Sequence, residues 1–297
     1  MSGKSLPVWL EASWADGRLA ARNLVRRPVF ALVAVITLAL GIGANTAVFS
    51  VISAVFLRPL PYSRPERLVW STEYFPNFQR AQVFLPEYAA WREHTTAFEH
   101  LEAYGISAGV NFAAEKQSAE RVQAGHVTPG FFTMLGVTPQ LGRTFREGET
   151  DRVTIISDPL WRGYFHADPG VLHRAVLIDG APATIIGVMP RGFVDPGAPD
   201  AGVWLPDAVD AQSSEPGRSM HFAGGVIGRL KAGVTAEQAR VDLTRIARAM
   251  DHAYPMPWLR YHSAASVRVV PLREQLTSSS KTAIFVLAGA VGFVLLI

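Results

Sequence analysis

"LALGIGANTAVFSVISAVFLRPLPY", Leu38 to Tyr62, can be read as a phosphate-binding loop, a cleaved secretory signal or a membrane helix. It lies in a longer window, Val29 to Leu57, that holds no Asp, Glu, Lys, Arg or His. As a helix the window would run about 43 Å at roughly 1.5 Å per residue, against a hydrocarbon core of about 30 Å. It is long enough to span with tilt. A secretory signal carries only about 7 to 15 apolar residues behind a short basic head. Here 28 residues precede the window and no small-residue cleavage pattern closes it. A dinucleotide loop needs G-x-G-x-x-G between a strand and a helix. Gly41-Ile42-Gly43-Ala44-Asn45-Thr46 puts threonine at the third glycine position, and no strand-like segment precedes it. The spanning helix is the reading that survives.

Composition agrees, because 297 residues with 49% hydrophobic and 18% charged side chains are more apolar than an average soluble domain. A second uncharged window, Thr282 to Ile297, ends the chain. Between the two the sequence reads as an ordinary water-soluble domain. The predicted organisation is a basic cytoplasmic segment over 1–28, a transmembrane helix over 29–57, a translocated domain over 58–280 and the start of a second transmembrane helix over 281–297.

At about 100° per residue, Ala39, Gly43, Ala47, Ser50 and Ala54 fall within a wedge of about 80° on one side of the first helix. Small residues on one side let a second helix approach closely, although Ala and Gly are also common in membrane helices at large. Asn45 projects from the opposite side, and an amide within a bilayer requires a hydrogen-bond partner. Asn45 and the small face are therefore expected to meet neighbouring helices, with Thr46 beside them in the same polar insert.

Orientation follows from flanking charge: Arg18, Arg22, Arg26 and Arg27 stand before the helix with no acid among them, so the N-terminus is expected to be cytoplasmic. Residues 1–28 hold five Lys+Arg against two Asp+Glu, whereas residues 58–280 hold 22 against 23. The pI near 9.3 thus reflects the cytoplasmic flank and Lys281 and points to membrane lipid, not to nucleic acid. No cysteine is present, so the translocated domain must be stabilised by its apolar core.

That domain reads as mixed α and β. Strand-like runs cover 66–74, 120–128, 152–157 and 223–230. "RAVLIDGAPATIIGVMP" (174–190) predicts a hairpin turning at Asp179-Gly180, with Pro182 placing the start of its second arm at a sheet edge. A helix starts at Thr235, with Gln238 at the reciprocal capping-box position and Ala239, Leu243, Ile246, Ala247 and Met250 on one face. A shorter helix runs from Pro86 to about His94. The Pro/Gly-rich stretch 190–206 reads as a long loop, and 210–219 as a hinge between subdomains. Tyr62 and Trp70 fit either the membrane interface or a packed core.

Little catalytic chemistry is legible. "GISAG" (105–109) fits G-x-S-x-G around Ser107, but the nucleophile turn needs a helix after the serine and "VNFAAEK" reads as a strand. His94 and His100 are six residues apart, not at the spacing of a helical zinc pair. No G-x-x-x-x-G-K-[ST] occurs, so the usual ATP-phosphate cradle is missing from the sequence. No catalytic residue, cofactor or metal is expected.

The stretch 22–62 resembles the first membrane helix of MacB/FtsX-type ABC transporter permeases, in particular the acidobacterial type. "PEYAAWREHTTAFEHLEAY" (86–104), "VTPGFFTMLGVTPQLGRTFREGE" (127–149) and "ISDPLWRGYFHADPGVLHRAVLIDGAPATIIGVMPRGF" (156–193) are similar, in order and spacing, to the periplasmic core domain of that family. The resemblance implies an α+β periplasmic domain, porter-like with an inserted subdomain, flanked by transmembrane α-helices. It implies a multi-pass permease of the bacterial inner membrane that couples a cytoplasmic ABC ATPase subunit to the periplasmic domain for export or mechanotransmission. A homodimer or duplicated permease half is implied, and a periplasmic partner is compatible with it. The chain carries no fused ATPase domain and stops about 24 Å into its second apolar window. It is therefore expected to be a fragment or an incomplete gene product, with ATP hydrolysis supplied in trans. The alternative is a membrane-anchored periplasmic binding or adaptor module without transport activity.

Overall fold

Leu68 and Trp70 face one way along the first strand and Val69 and Ser71 the other, and all four are buried, so this strand must be covered on both sides. A computed structural model describes residues 26–52, 60–74, 82–105, 108–114, 118–150, 152–207, 222–253 and 266–278, with Val286 and Gly289. The chain divides into two compact units, one of Pro59–Leu276 and one of the flanking ends, 1–58 and 277–297.

In the flanking unit, α1 runs from Pro28 to Ile52. Val286 and Gly289, the described residues of the second apolar window, are helical and exposed.

The larger unit is built on a sheet of β1 (Leu68–Tyr74), β3 (Phe98–Tyr104), β12 (Gly225–Leu230) and β13 (Ser266–Pro271). Its order is β13-β1-β12-β3, with every pair antiparallel. With α2 (Leu85–His94) between β1 and β3, and α5 (Ala236–Ala253) between β12 and β13, this is the split βαβ, or ferredoxin-like, arrangement. Both helices cover one face, where Trp91, Tyr88, Leu243 and Ile246 pack on Val69, Leu101, Val226 and Val269. The predicted capping box starts α5: the Gln238 amide donates to the Thr235 hydroxyl at 3.2 Å, and the Thr235 amide donates to Gln238 Oε1 at 2.9 Å. Ala239, Leu243 and Ile246 are buried as the periodicity requires, and Ala247 and Met250 pack beside them. A two-stranded sheet, β2 (Val83–Phe84) with β11 (Phe222–Ala223), stands apart from the main sheet.

Among the described residues, everything between β3 and β11 is an insert, and β11 itself pairs with β2 of the host. Strands β4 (Ala108–Ala114), β5 (Glu120–Val127), β7 (Val153–Ile156), β8 (Ala175–Ile178), β9 (Ala181–Val188) and β10 (Ala201–Pro206) close into a ring, β5-β4-β8-β9-β7-β10 and back to β5. The ring closes through parallel pairing of β10 with β5. A six-stranded barrel has room only for side chains. Phe112, Ile156, Ile185 and Val203 fill it with Leu160, Trp161 and Tyr164 of α4 (Asp158–Tyr164). The short β6 (Leu141–Gly142) adds to β9, and α3 (Phe131–Leu135) follows β5.

The hairpin turns where expected, and positive φ at both Asp179 (49°) and Gly180 (83°) gives the primed geometry that matches strand twist. At Pro182 the strand has only β8 beside it, as an edge requires, but from Thr184 onward β7 pairs on its other side and β9 becomes internal. The expected loop over 190–206 is corrected. It ends at residue 200, and Ala201–Pro206 is a strand with every residue buried, hidden among the surrounding prolines and glycines. The predicted hinge at 210–219 lies outside the described residues.

Candidate functional site

The first candidate is α1 itself. Val29, Phe30, Leu32, Ile36, Leu38, Leu40 and Ile42 are all at least half exposed, so apolar side chains project around the helix with nothing covering them. Pro28–Ala47 is long and apolar enough to cross a membrane. Ala39, Gly43, Asn45, Ala47 and Ser50 are exposed too, and a methyl added at Gly43 would meet nothing within 4 Å. Ala54, Arg18 and Arg22 lie outside the described residues, and Arg26 and Arg27 are exposed beside the helix start. The Thr46 hydroxyl donates to the Ile42 carbonyl at 2.8 Å, as Thr37 does to Val33 at 2.9 Å. Each hydroxyl proton is thus taken up within its own helix, and the oxygen keeps its capacity to accept.

The second candidate is the larger unit's connection to the two apolar windows. Val69, near the start of β1, pairs with Pro271, the last residue of β13. The chain therefore leaves both strands at the same end of the sheet, toward the first window from β1 and toward the second from β13. At that end, Tyr62 and Ser63 reach into the insert: Tyr62 Oη donates to the Val194 carbonyl at 2.8 Å, and the Ser63 amide donates to the Leu135 carbonyl at 2.9 Å. Arg229 of β12 donates to the Arg64 carbonyl at 3.2 Å and the Met134 carbonyl at 2.5 Å, closing the C-terminal turn of α3. Arg67 instead holds Glu99 and the Leu230 carbonyl of the sheet. Burial and the neighbouring Arg67 and Arg64 charges push the Arg229 guanidinium below its ordinary pKa.

Behind Tyr62 sits a buried carboxylate. Asp195 Oδ1 accepts from the Gly197 and Ala198 amides at 2.7 and 3.1 Å, and Oδ2 accepts from Trp204 Nε1 at 2.6 Å. Burial raises its pKa to about 6 despite these three donors. Burial also raises the pKa of the Tyr62 and Tyr104 phenols, with the Asp195 charge adding to each, so both remain neutral. Trp70 Nε1 donates to Tyr104 Oη at 2.7 Å. Tyr62 and Trp70 are thus core residues, packed with Phe132, Leu135 and Trp204 between sheet and insert. This polar seam has no sequence signature, since the residues it joins are up to 132 positions apart.

Ser107 lies outside the described residues, and Ala108–Ala114 after it is a strand where a nucleophile turn requires a helix. His94 and His100 are exposed, and no group of three metal-ligating side chains occurs among the described residues. Ser71 Oγ and Trp91 Nε1 are buried under α2 without hydrogen-bond partners.

The family model of the MacB-like periplasmic core domain matches residues 31–246. No curated protein matches the sequence. Among solved structures, a permease-protein domain from Porphyromonas gingivalis superposes with a TM-score of 0.54 at 17% identity, covering 71% of this chain and 92% of its own. The periplasmic region of MacB from Actinobacillus actinomycetemcomitans gives 0.52 at 11% identity, covering 72% and 93%. The extracellular domain of the noncanonic ABC-type transporter YknZ from Gram-positive bacteria gives 0.50 at 14% identity, covering 68% and 99%. At these identities the likeness is one of fold.

Proposed function

Because the chain belongs to the MacB-like periplasmic core domain family, we propose that it is the noncatalytic permease subunit of an ABC-type export or mechanotransmission system. The observation that carries this reading is the pairing of Val69 with Pro271, which brings the links to both apolar windows to one end of one sheet. A displacement carried along both links would act on two neighbouring strands, β1 and β13, at once. In this reading α1 spans the inner membrane, Arg18, Arg22, Arg26 and Arg27 keep the N-terminus cytoplasmic, and a separate cytoplasmic ATPase supplies the nucleotide site. The small face of α1 and Asn45 pack against further membrane helices, from a second permease half or a second copy.

The test is purification from membranes of the chain extended through further permease helices. Co-purification of a cytoplasmic ATPase is expected. Recovery with a periplasmic protein and no ATPase would replace the permease by a membrane-anchored adaptor module. Gly43→Leu in the same preparation is expected to reduce assembly, and assembly at the parental level would remove the small face from the reading.

A further inference from the structure

The segment between the apolar window and β1 is bonded to two different bodies. Tyr62 and Ser63 are tied to the insert, through Val194 on the loop before β10 and Leu135 at the end of α3. Arg229 holds the Arg64 carbonyl and the Met134 carbonyl together. Gly136, at φ 73°, lies so close that an added Cβ would come 2.4 Å from Ser63 Cβ. Leu60 and Tyr62 pack with Phe132, Leu135 and Phe193. The segment takes hold of the sheet at Arg64, whose carbonyl accepts from Arg229 of β12, and again at Arg67, through Glu99 and the Leu230 carbonyl. The insert is thus gripped first, at Tyr62 and Ser63, and the sheet second, in chain order from the apolar helix.

We propose that residues Leu60–Arg64 form a dock that delivers displacement of the apolar helix to the inserted barrel, with Tyr62 and Arg229 as its positioning residues. This rests on the permease reading for the source of the displacement, but the dock itself is a property of the larger unit. Val194 leads directly into Asp195, whose carboxylate is bonded to Trp204 of β10, so a pull on Tyr62 reaches a barrel strand through two hydrogen bonds. β10 also closes the ring against β5, which makes the barrel move as one body.

Amide hydrogen exchange on the full chain in nanodiscs, alone and with its ATPase in the nucleotide-free and ATP-bound states, tests the dock. Tyr62→Phe removes only the hydroxyl, and Arg229→Lys keeps the charge while losing the two-carbonyl fork. In the chain alone, Tyr62→Phe is expected to speed exchange at residues 193–198 by about tenfold, and Arg229→Lys to do so at 134–137. Arg67→Gln, which cuts the tie to Glu99 and Leu230 and leaves the Arg229 contact in place, is expected to leave both segments unchanged. In the complex, ATP is expected to alter exchange at 193–198 in the parental chain and in Arg67→Gln but not in Tyr62→Phe. Parental exchange rates at both segments in both dock variants would overturn the dock. A nucleotide effect that persists in Tyr62→Phe, or that is absent from the parental complex, would overturn the delivery to the barrel. If no ATPase binds, the permease reading falls, and the measurement on the chain alone still decides the dock.

Discussion

The inserted barrel and the sheet that carries it handle strand edges in opposite ways. The barrel closes its six strands into a ring and fills the interior with its own side chains, so its strand edges pair within the ring, while Ile155, Ile186 and Trp204 on its outside pack against Leu68 and Trp70 of the sheet. Among the described residues of the open sheet, β13 pairs only with β1, and β3 meets β5 at the single pair Tyr104 and Val127. One face of that sheet is covered by α2 and α5 and the other by the insert. The barrel therefore satisfies its own strand edges, while the sheet depends for both faces on what lies against it.

The sharpest challenge to that contrast is Phe112→Ala. Phe112 is fully buried and meets Tyr164 and Phe165 edge to face at 5.4 and 6.0 Å. The truncation is expected to destabilise by about 3–5 kcal/mol. Exchange protection should disappear from β4, β8 and β9 while β1 and β12 keep theirs. Simultaneous loss in all five strands would merge the two bodies into one cooperative unit.

Next in size is the pH response of the seam. The folded pKa of Asp195, about 6, lies above the ordinary carboxylate value, so the fold favours its protonated form. Stability from this group is fully present below about pH 4 and is lost as pH rises through 6, a swing of roughly 3 kcal/mol. Glu102, raised by burial, acts in the same direction. Glu149, Asp158 and Asp242 lie below their ordinary values and act oppositely, losing their contribution in stronger acid. Urea unfolding of the parental chain and Asp195→Asn at pH 4 to 7 is expected to show a shallower decline in the variant. Equal slopes would remove Asp195 as the titrating group.

Thr235→Ala should cost about 1 kcal/mol through loss of the capping box, read as faster exchange in α5 with the barrel unchanged. Smallest is Val241→Lys. Val241 is 54% exposed on the outer side of α5, and a thermal midpoint within the equivalent of about 0.5 kcal/mol is expected. A larger loss would reveal a surface resting on that helix.

What the residues disclosed in advance was local. The capping box at Thr235, the Asp179-Gly180 turn and the apolar window each depend on neighbours a few positions apart. Three of the longer strands, β3, β10 and β13, escaped, the first two because they lack alternation. β3 has an extra residue, Glu99, where Arg229 and Leu230 of β12 pair with His100 and Phe98, and this bulge breaks the alternation that would have marked it. β10 is buried throughout and lacks alternation altogether. β13 did carry a signal, since Val267 and Val269 are buried around exposed Arg268. Ring closure and the seam around Tyr62 were not legible, because they join segments separated by most of the insert. Periodicity reports which face of an element is apolar, not which distant element will cover it.

The register of β12 on β3 has one further consequence. Tyr104, the last residue before the insert, pairs with Gly225, the first residue of the returning strand, and the Gly224 amide donates to the Tyr104 carbonyl at 2.7 Å. The guest thus leaves and rejoins the main sheet at a single mouth, with the two-residue β11 just before it held on β2. Swapping such a module, or shortening it to a tight turn with the uncovered sheet face made polar, becomes a cut-and-rejoin operation at adjacent residues. The main sheet can be kept while the barrel on it is exchanged.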